Sequence, residues 1–243
     1  MPWIGDLFSL WKSEKLYNLL ARSGCSGWWS LASICRVCGA LDARSVGVCD
    51  ACLADFPRRP QTKLQRTIAA VDVAFAAYLY DFPITSLVKS VKFHNDLSAL
   101  AVLQAGFSET FKLQLGEIDF LVPVPLSPGR FFHRGFNQAG ELARCLGKVS
   151  GKPVRYDMVK RQRGGAPQSL LGADARHNNT KGVFRTTSTF SGKQIALIDD
   201  VITTGATCSS LAEVLRDAGA ARIICLAVAA TPHRQADREL GLV

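Results

Sequence analysis

The sequence predicts an α/β protein: a parallel sheet flanked by helices, with a small metal-binding unit ahead of it. Three observations carry this. Continuous apolar runs such as "IALI" (Ile195–Ile198) and "IICLAV" (Ile223–Val228) alternate with segments of helical periodicity, the pattern of strands buried on both faces. One such run ends in two adjacent acids, Asp199 and Asp200, followed by "TTGAT" and a helix. Ahead of the first strand, Cys35, Cys38, Cys49 and Cys52 form two C-x-x-C pairs.

Taken in order, residues 1–31 read as an amphipathic extension, with Leu7, Phe8, Leu10, Trp11, Leu16, Leu19 and Leu20 on one helical face. Asp6 and the charges at Lys12, Glu14 and Lys15 argue against a signal peptide. No window approaches the roughly 18 apolar residues that a membrane span needs. The expected location is cytoplasmic, where the eight cysteines are not a disulfide framework.

Residues 32–60 form the second unit. Two C-x-x-C knuckles aim four thiolates at one point, the arrangement that suits a structural Zn2+ with no open coordination position. Cys35, Cys38, Cys49 and Cys52 are the expected ligands of this zinc-ribbon-like domain. Cys145, Cys208 and Cys225 sit in apolar patterns and are expected in the core; Cys25 has no ligand spacing. The polar stretch "PRRPQTKLQR" reads as a linker.

The third unit spans 68–243. "IAAVDVAFAAYLYD" holds one or two strands, and "ITSLVKSVKF" and "LSALAVLQAGFSETFKLQL" are helices. "DFLVPVPL" is a short strand, and "GFNQAGELARCLGKVSG" a helix closed by glycine. "KQIALIDDV" is a strand, "GATCSSLAEVLRDAGA" a helix and "ARIICLAVAAT" a further strand.

The net charge of +9 favours polyanions: nucleic acid, phosphorylated metabolites or acidic membrane. In open α/β sheets ligands bind beyond the carboxyl ends of strands. There Asp199 and Asp200 suit adjacent sugar hydroxyls, directly or through Mg2+. The helix N-terminus behind Gly205 suits a phosphate, with hydroxyls from Thr203, Thr204 and Thr207. Neither G-x-x-x-x-G-K-[ST] nor G-x-G-x-x-G occurs. A phosphate cradle beside a diol grip has the shape of a sugar 5-phosphate.

"IALIDDVITTGAT" resembles the phosphoribosyl diphosphate (PRPP) motif of type I phosphoribosyltransferases. By that resemblance Asp199 and Asp200 hold the ribose hydroxyls, and Val201, Thr203, Thr204, Gly205, Ala206 and Thr207 complete the site around the 5-phosphate. "VPVPLSPGRFFHRGFNQAGELAR", "KFHND" and "QSLLGADARHNNTKGVF" resemble the ComF family, the competence-protein-F group of phosphoribosyltransferase-like proteins, whose members also carry cysteine knuckles. The resemblance covers about Cys35 to Thr231. It implies a diphosphate loop after "PVPL", with Arg130 and Arg134 on the diphosphate, Asn137 and Gln138 orienting that loop or capping a helix, and Lys92 as a further contact. "KRQRGGAPQS" suits a lid in which Lys160, Arg161 and Arg163 close over the leaving group, with Arg163, Arg134 and Lys160 as the catalytic candidates. Arg176 and Asn179 fit the family pattern. Mg2+ would accompany PRPP.

The sequence leaves two functions open. One is a PRPP-binding protein of competence and DNA uptake, whose partners are single-stranded DNA or a DNA-uptake helicase. The other is an active phosphoribosyltransferase on an unidentified acceptor.

Overall fold

The computed structural model describes residues 34–41, 43, 47–58, 64, 67–162 and 182–232. The N-terminal extension with Cys25, most of the linker, and the glycine-rich part of the lid with Arg163, Arg176 and Asn179 lie outside them.

A four-stranded parallel sheet forms the centre: β1 (Val73–Leu79), β2 (Phe120–Pro123), β5 (Gln194–Ile202) and β6 (Arg222–Ala230), in the order β1-β6-β5-β2. Its strands are the runs without polar alternation, because both faces are covered. Along β5, Ala196 and Ile198 enter the core beneath α2 (Ile84–His94), α3 (Leu97–Phe111) and α5 (Gln138–Ser150). Ile195 and Leu197 enter the opposite core with α6 (Ala206–Asp217). The same period of two sorts Ile224 and Leu226 from Ile223 and Cys225 in β6. Each such fully buried aliphatic side chain contributes roughly 1.5–3 kcal/mol. Cys145, Cys208 and Cys225 are all buried core residues.

Local signals set the helix ends. Asp96 caps α3, its carboxylate accepting from the N–H groups of Ser98 and Ala99. Gly151 closes α5 in the left-handed region. The helix α3 stops at Phe111, short of the "KLQL" that the apolar pattern had included. The strand β5 runs past the acids to Ile202, because Val201 and Ile202 still pair with Ala229 and Ala230.

Two features differ from the sequence expectation. "PGRFFHR", expected as a loop, is a short helix, α4 (Pro128–Arg134), with Pro128 in its first turn and Gly135 at its end. The start of the lid is a two-residue strand, β3 (Lys160–Arg161), paired antiparallel with β4 (Phe184–Arg185).

The cysteine unit packs on the sheet. Its short helix α1 (Asp50–Ala54) begins at Cys49, and Cys35, Val48, Cys49 and Phe56 join the core of α2 and α3. Phe56 meets Tyr78 of β1 edge-to-face at 5.6 Å. Arg58 bridges Tyr78 along the outer edge of β1, and Leu79 donates to Pro57 O. The outer edge of β2 is covered in the same way by the segment around Val154. No helix among the described residues is long and apolar enough to cross a membrane.

Candidate functional site

The strands β2 and β5 are neighbours, yet the helix after β2 covers one face of the sheet and the helix after β5 the other. This is a topological switch point, where the chain diverges and leaves a crevice at the carboxyl ends. A cavity of about 250 Å3 lies there. Val124, Pro125 and Leu126 wall it from β2; Asp199, Asp200, Val201, Thr203 and Thr207 wall it from β5 and its loop.

Both acids reach it in different states. The Asp200 carboxylate pairs with the Lys92 ammonium at 2.8 Å. Asp199 lies deeper, and its Oδ1 accepts the Asp200 N–H at 2.8 Å. Burial first, then the charge of Asp200, pushes the Asp199 carboxyl up to about 7, against the pull of the Asp200 N–H and Lys92. Cys208 stands behind it, its thiol 3.8 Å from Oδ2.

In the loop, Thr203 and Thr207 line the cavity, whereas Thr204, Gly205 and Ala206 do not. Thr204 accepts the Ala206 N–H on its hydroxyl at 3.3 Å. Gly205 sits at φ +83 against Ile68, 2.8 Å from where a Cβ would stand. These three shape the turn that presents the lining residues.

Four cations face the two carboxylates: Lys92, Arg130, Arg134 and Arg161. Burial pulls Arg134 below its ordinary value, with Arg130 adding to it and Asp200 opposing. Burial and Arg130 do the same to Arg161, which lies over the Phe184 ring at 5.4 Å. Guanidiniums crowded this way favour a dense anion such as a diphosphate. Asn137 caps α5, accepting the Ala139 N–H, and donates to Val124 O at 3.0 Å. It thereby ties α5 to the exit loop of β2. Gln138 accepts from Arg134 on Oε1, while its buried Nε2 has no partner among the described residues and Gln138 is part of the cavity wall.

Lys160 is exposed and does not line the cavity; the next residue, Arg161, does. Alternation along β3 sends the two side chains to opposite sides. Tyr80 also lines the cavity and was not singled out in the sequence. Its signal was position alone, one residue beyond the carboxyl end of β1.

The second centre is the cysteine cluster. The four sulfurs of Cys35, Cys38, Cys49 and Cys52 lie within 4.8 Å of one another, a set able to hold a metal ion. Backbone N–H groups already point at them: Cys49 N donates to Cys35 Sγ at 3.4 Å and Cys52 N to Cys49 Sγ at 3.5 Å. Gly39, at φ +77, makes the turn of the first knuckle. Burial raises the Cys35 thiol, but N–H groups of Cys38, Cys49 and Val37 outweigh it and bring it down to about 6. Burial and the neighbouring sulfurs push Cys52 upward.

Comparison with known proteins agrees with this architecture. A family model described as "Phosphoribosyl transferase domain" matches residues 133–240. "DNA utilization protein YhgH" of Escherichia coli (strain K12) is 30% identical over 215 residues, covering 81% of this chain and 88% of its own. "Competence protein ComFC" of Bacillus subtilis (strain 168) is 32% identical over 194 residues, covering 77% of this chain and 73% of its own. "Competence protein F" of Haemophilus influenzae is 34% identical over 156 residues, covering 59% and 66%.

Proposed function

The chain belongs to the ComF family, with a phosphoribosyltransferase domain behind a four-cysteine unit, and from that premise we propose that it binds PRPP at the β2–β5 switch point and acts in competence and DNA uptake. One observation carries the reading: two adjacent carboxylates and four cations share one cavity at the carboxyl ends of the sheet. A ligand with a diol at its centre and phosphates at both ends matches that layout, and PRPP is such a ligand.

In this reading Asp199 and Asp200 accept from the ribose 2- and 3-hydroxyls, and the Thr203–Thr207 loop holds the 5-phosphate. Arg130, Arg134 and Lys92 meet the diphosphate, with Arg161 at its side. Asn137 and Gln138 fix the geometry of the diphosphate loop, and Gln138 Nε2, without a partner among the described residues, would donate to the ligand. Magnesium arrives with PRPP; the paired carboxylates are the oxygen donors that a hard cation takes, through its own waters. It would offset charge on the diphosphate. The cysteine cluster fits Zn2+, since four thiolates converging within bonding reach give a closed tetrahedral site. Its role is structural, because no position stays open.

Transfer of the ribose to an acceptor is the second reading, favoured by the cations that would stabilise a departing diphosphate. The C1–oxygen bond would break, the diphosphate would take its electrons, and the acceptor would close on C1. Arg134 and Arg161, which line the cavity, are the candidates for stabilising that departure, with Arg163 as the further expectation from the sequence, whereas Lys160 does not line the cavity. The cellular site expected for either reading is the cytoplasm; single-stranded DNA or a DNA-uptake helicase is the partner in the first reading, and the second has no DNA role.

Calorimetry with PRPP and magnesium tests the site. Wild type should bind, and Asp199→Asn/Asp200→Asn should not, with both folded by circular dichroism. Equal affinity in the two proteins removes the assignment. Diphosphate release on addition of candidate acceptors separates the transferase from the binding protein.

A further inference from the structure

Among the described residues, five aromatic side chains are exposed: Phe82, Phe93, Phe131, Phe132 and Tyr156. Each is close in sequence, or hydrogen-bonded, to the elements that wall the cavity. Phe82 is two residues from Tyr80, and Phe93 follows Lys92. Phe131 and Phe132 lie between Arg130 and Arg134. Those partners all line the cavity. Tyr156 donates its hydroxyl to Gly140 O in the first turn of α5, the turn that begins with the lining residue Gln138.

The helix α4 shows this most sharply. None of its residues is buried, and Phe132 is 84% exposed. Packing among the described residues therefore gives no reason for two adjacent phenylalanines there. Arg130 and Arg134, four apart, share the face toward the cavity. At about 100° per residue, Phe131 and Phe132 project from the flank and back of the same helix. One short element thus offers guanidiniums on one side and bare rings on the other.

Rings interleaved with cations are what an unpaired strand requires, because phosphates pair with guanidinium and unstacked bases lie on aromatic faces. Duplex DNA hides its base faces and would leave the rings unused. An apolar protein partner would leave the cations unpaired. We propose that Phe131 and Phe132 make α4 an aromatic rim, a stacking surface for single-stranded DNA whose backbone phosphates pair with Arg130 and Arg134, so that the strand and PRPP compete for these two guanidiniums. The competition rests on the PRPP reading above; the stacking surface does not.

Fluorescence anisotropy of the intact, metal-loaded chain with a labelled oligothymidylate of about 20 nucleotides, longer than single-strand site sizes, tests this. The Phe131→Ala/Phe132→Ala variant should bind roughly 5- to 150-fold more weakly for each base that no longer stacks. Its melting temperature and its calorimetric affinity for PRPP should stay at wild-type values, since neither ring lines the cavity. Phe131→Tyr/Phe132→Tyr should restore the affinity. In wild type, PRPP with magnesium should displace the strand. Unchanged DNA affinity in the alanine variant overturns the stacking surface. So does a rim that seats a second copy, seen as loss of a dimer in sedimentation with DNA binding intact. A strand that PRPP fails to displace, although calorimetry shows PRPP bound, overturns the competition. If PRPP does not bind at all, the site reading fails and the alanine variant still decides the rim.

Discussion

Asp199→Asn should make the unliganded protein more stable above neutral pH while removing its ligand. The Asp199 carboxyl stands at about 7 in the fold against an ordinary 3.8. Between those values the unfolded chain gives up this proton and the folded chain keeps it. Stability is therefore undiminished below about pH 3.8, is lost as pH rises through the window, and is flat above about 7. At about 1.4 kcal/mol per unit, the full window costs about 4 kcal/mol. That is an upper bound, because Asp199 is open to the cavity and Lys92 is near. Asparagine keeps an acceptor for the Asp200 N–H and carries no charge. Thermal melts of both proteins across the pH range measure the difference directly. The variant's advantage should be near zero in acid, grow through the window and level off above neutrality, by several degrees at roughly 2–4 °C per kcal/mol. A difference that is independent of pH, or one that grows toward acid, refutes the claim that burial and Asp200 hold this proton. Loss of PRPP binding in the same variant would show stability given up for function.

Other outcomes follow from the same geometry. Gly205→Ala, forced into φ +83 against Ile68, should cost at least about 1 kcal/mol and weaken PRPP binding in calorimetry, since the turn presenting Thr203 and Thr207 must shift. Phe111→Ala, in the α3 core at 5.1 Å from Phe107, should cost about 3–5 kcal/mol in denaturant unfolding. Cys49→Ser should lower the metal content, measured by elemental analysis, from about one zinc per chain, the stoichiometry of a four-thiolate site. Lys92→Met should weaken PRPP binding in calorimetry, because it removes from the cavity wall the ammonium that stands 2.8 Å from Asp200.

The sheet was legible because its strands are buried on both faces and so appear as unbroken apolar runs. The cavity's acids were legible because two adjacent carboxylates have no use in a core. What escaped has physical causes too. The helix α4 buries nothing, so it leaves no apolar period to read. The strands β3 and β4 are two residues each, too short for alternation to show, which is why Lys160 and Arg161 could not be told apart. Tyr80 ended an apolar run and was absorbed into the strand. In each case the missing information was the partner across space.

The Arg58 bridge along β1 has a wider consequence. A parallel sheet's outer strand carries unpaired N–H and C=O groups that can template the addition of a foreign strand. Here the segment that follows the cysteine knuckles occupies those groups. Stripping the metal would therefore uncover a sticky edge on an otherwise intact sheet, and chelated protein should self-associate into aggregates before it unfolds.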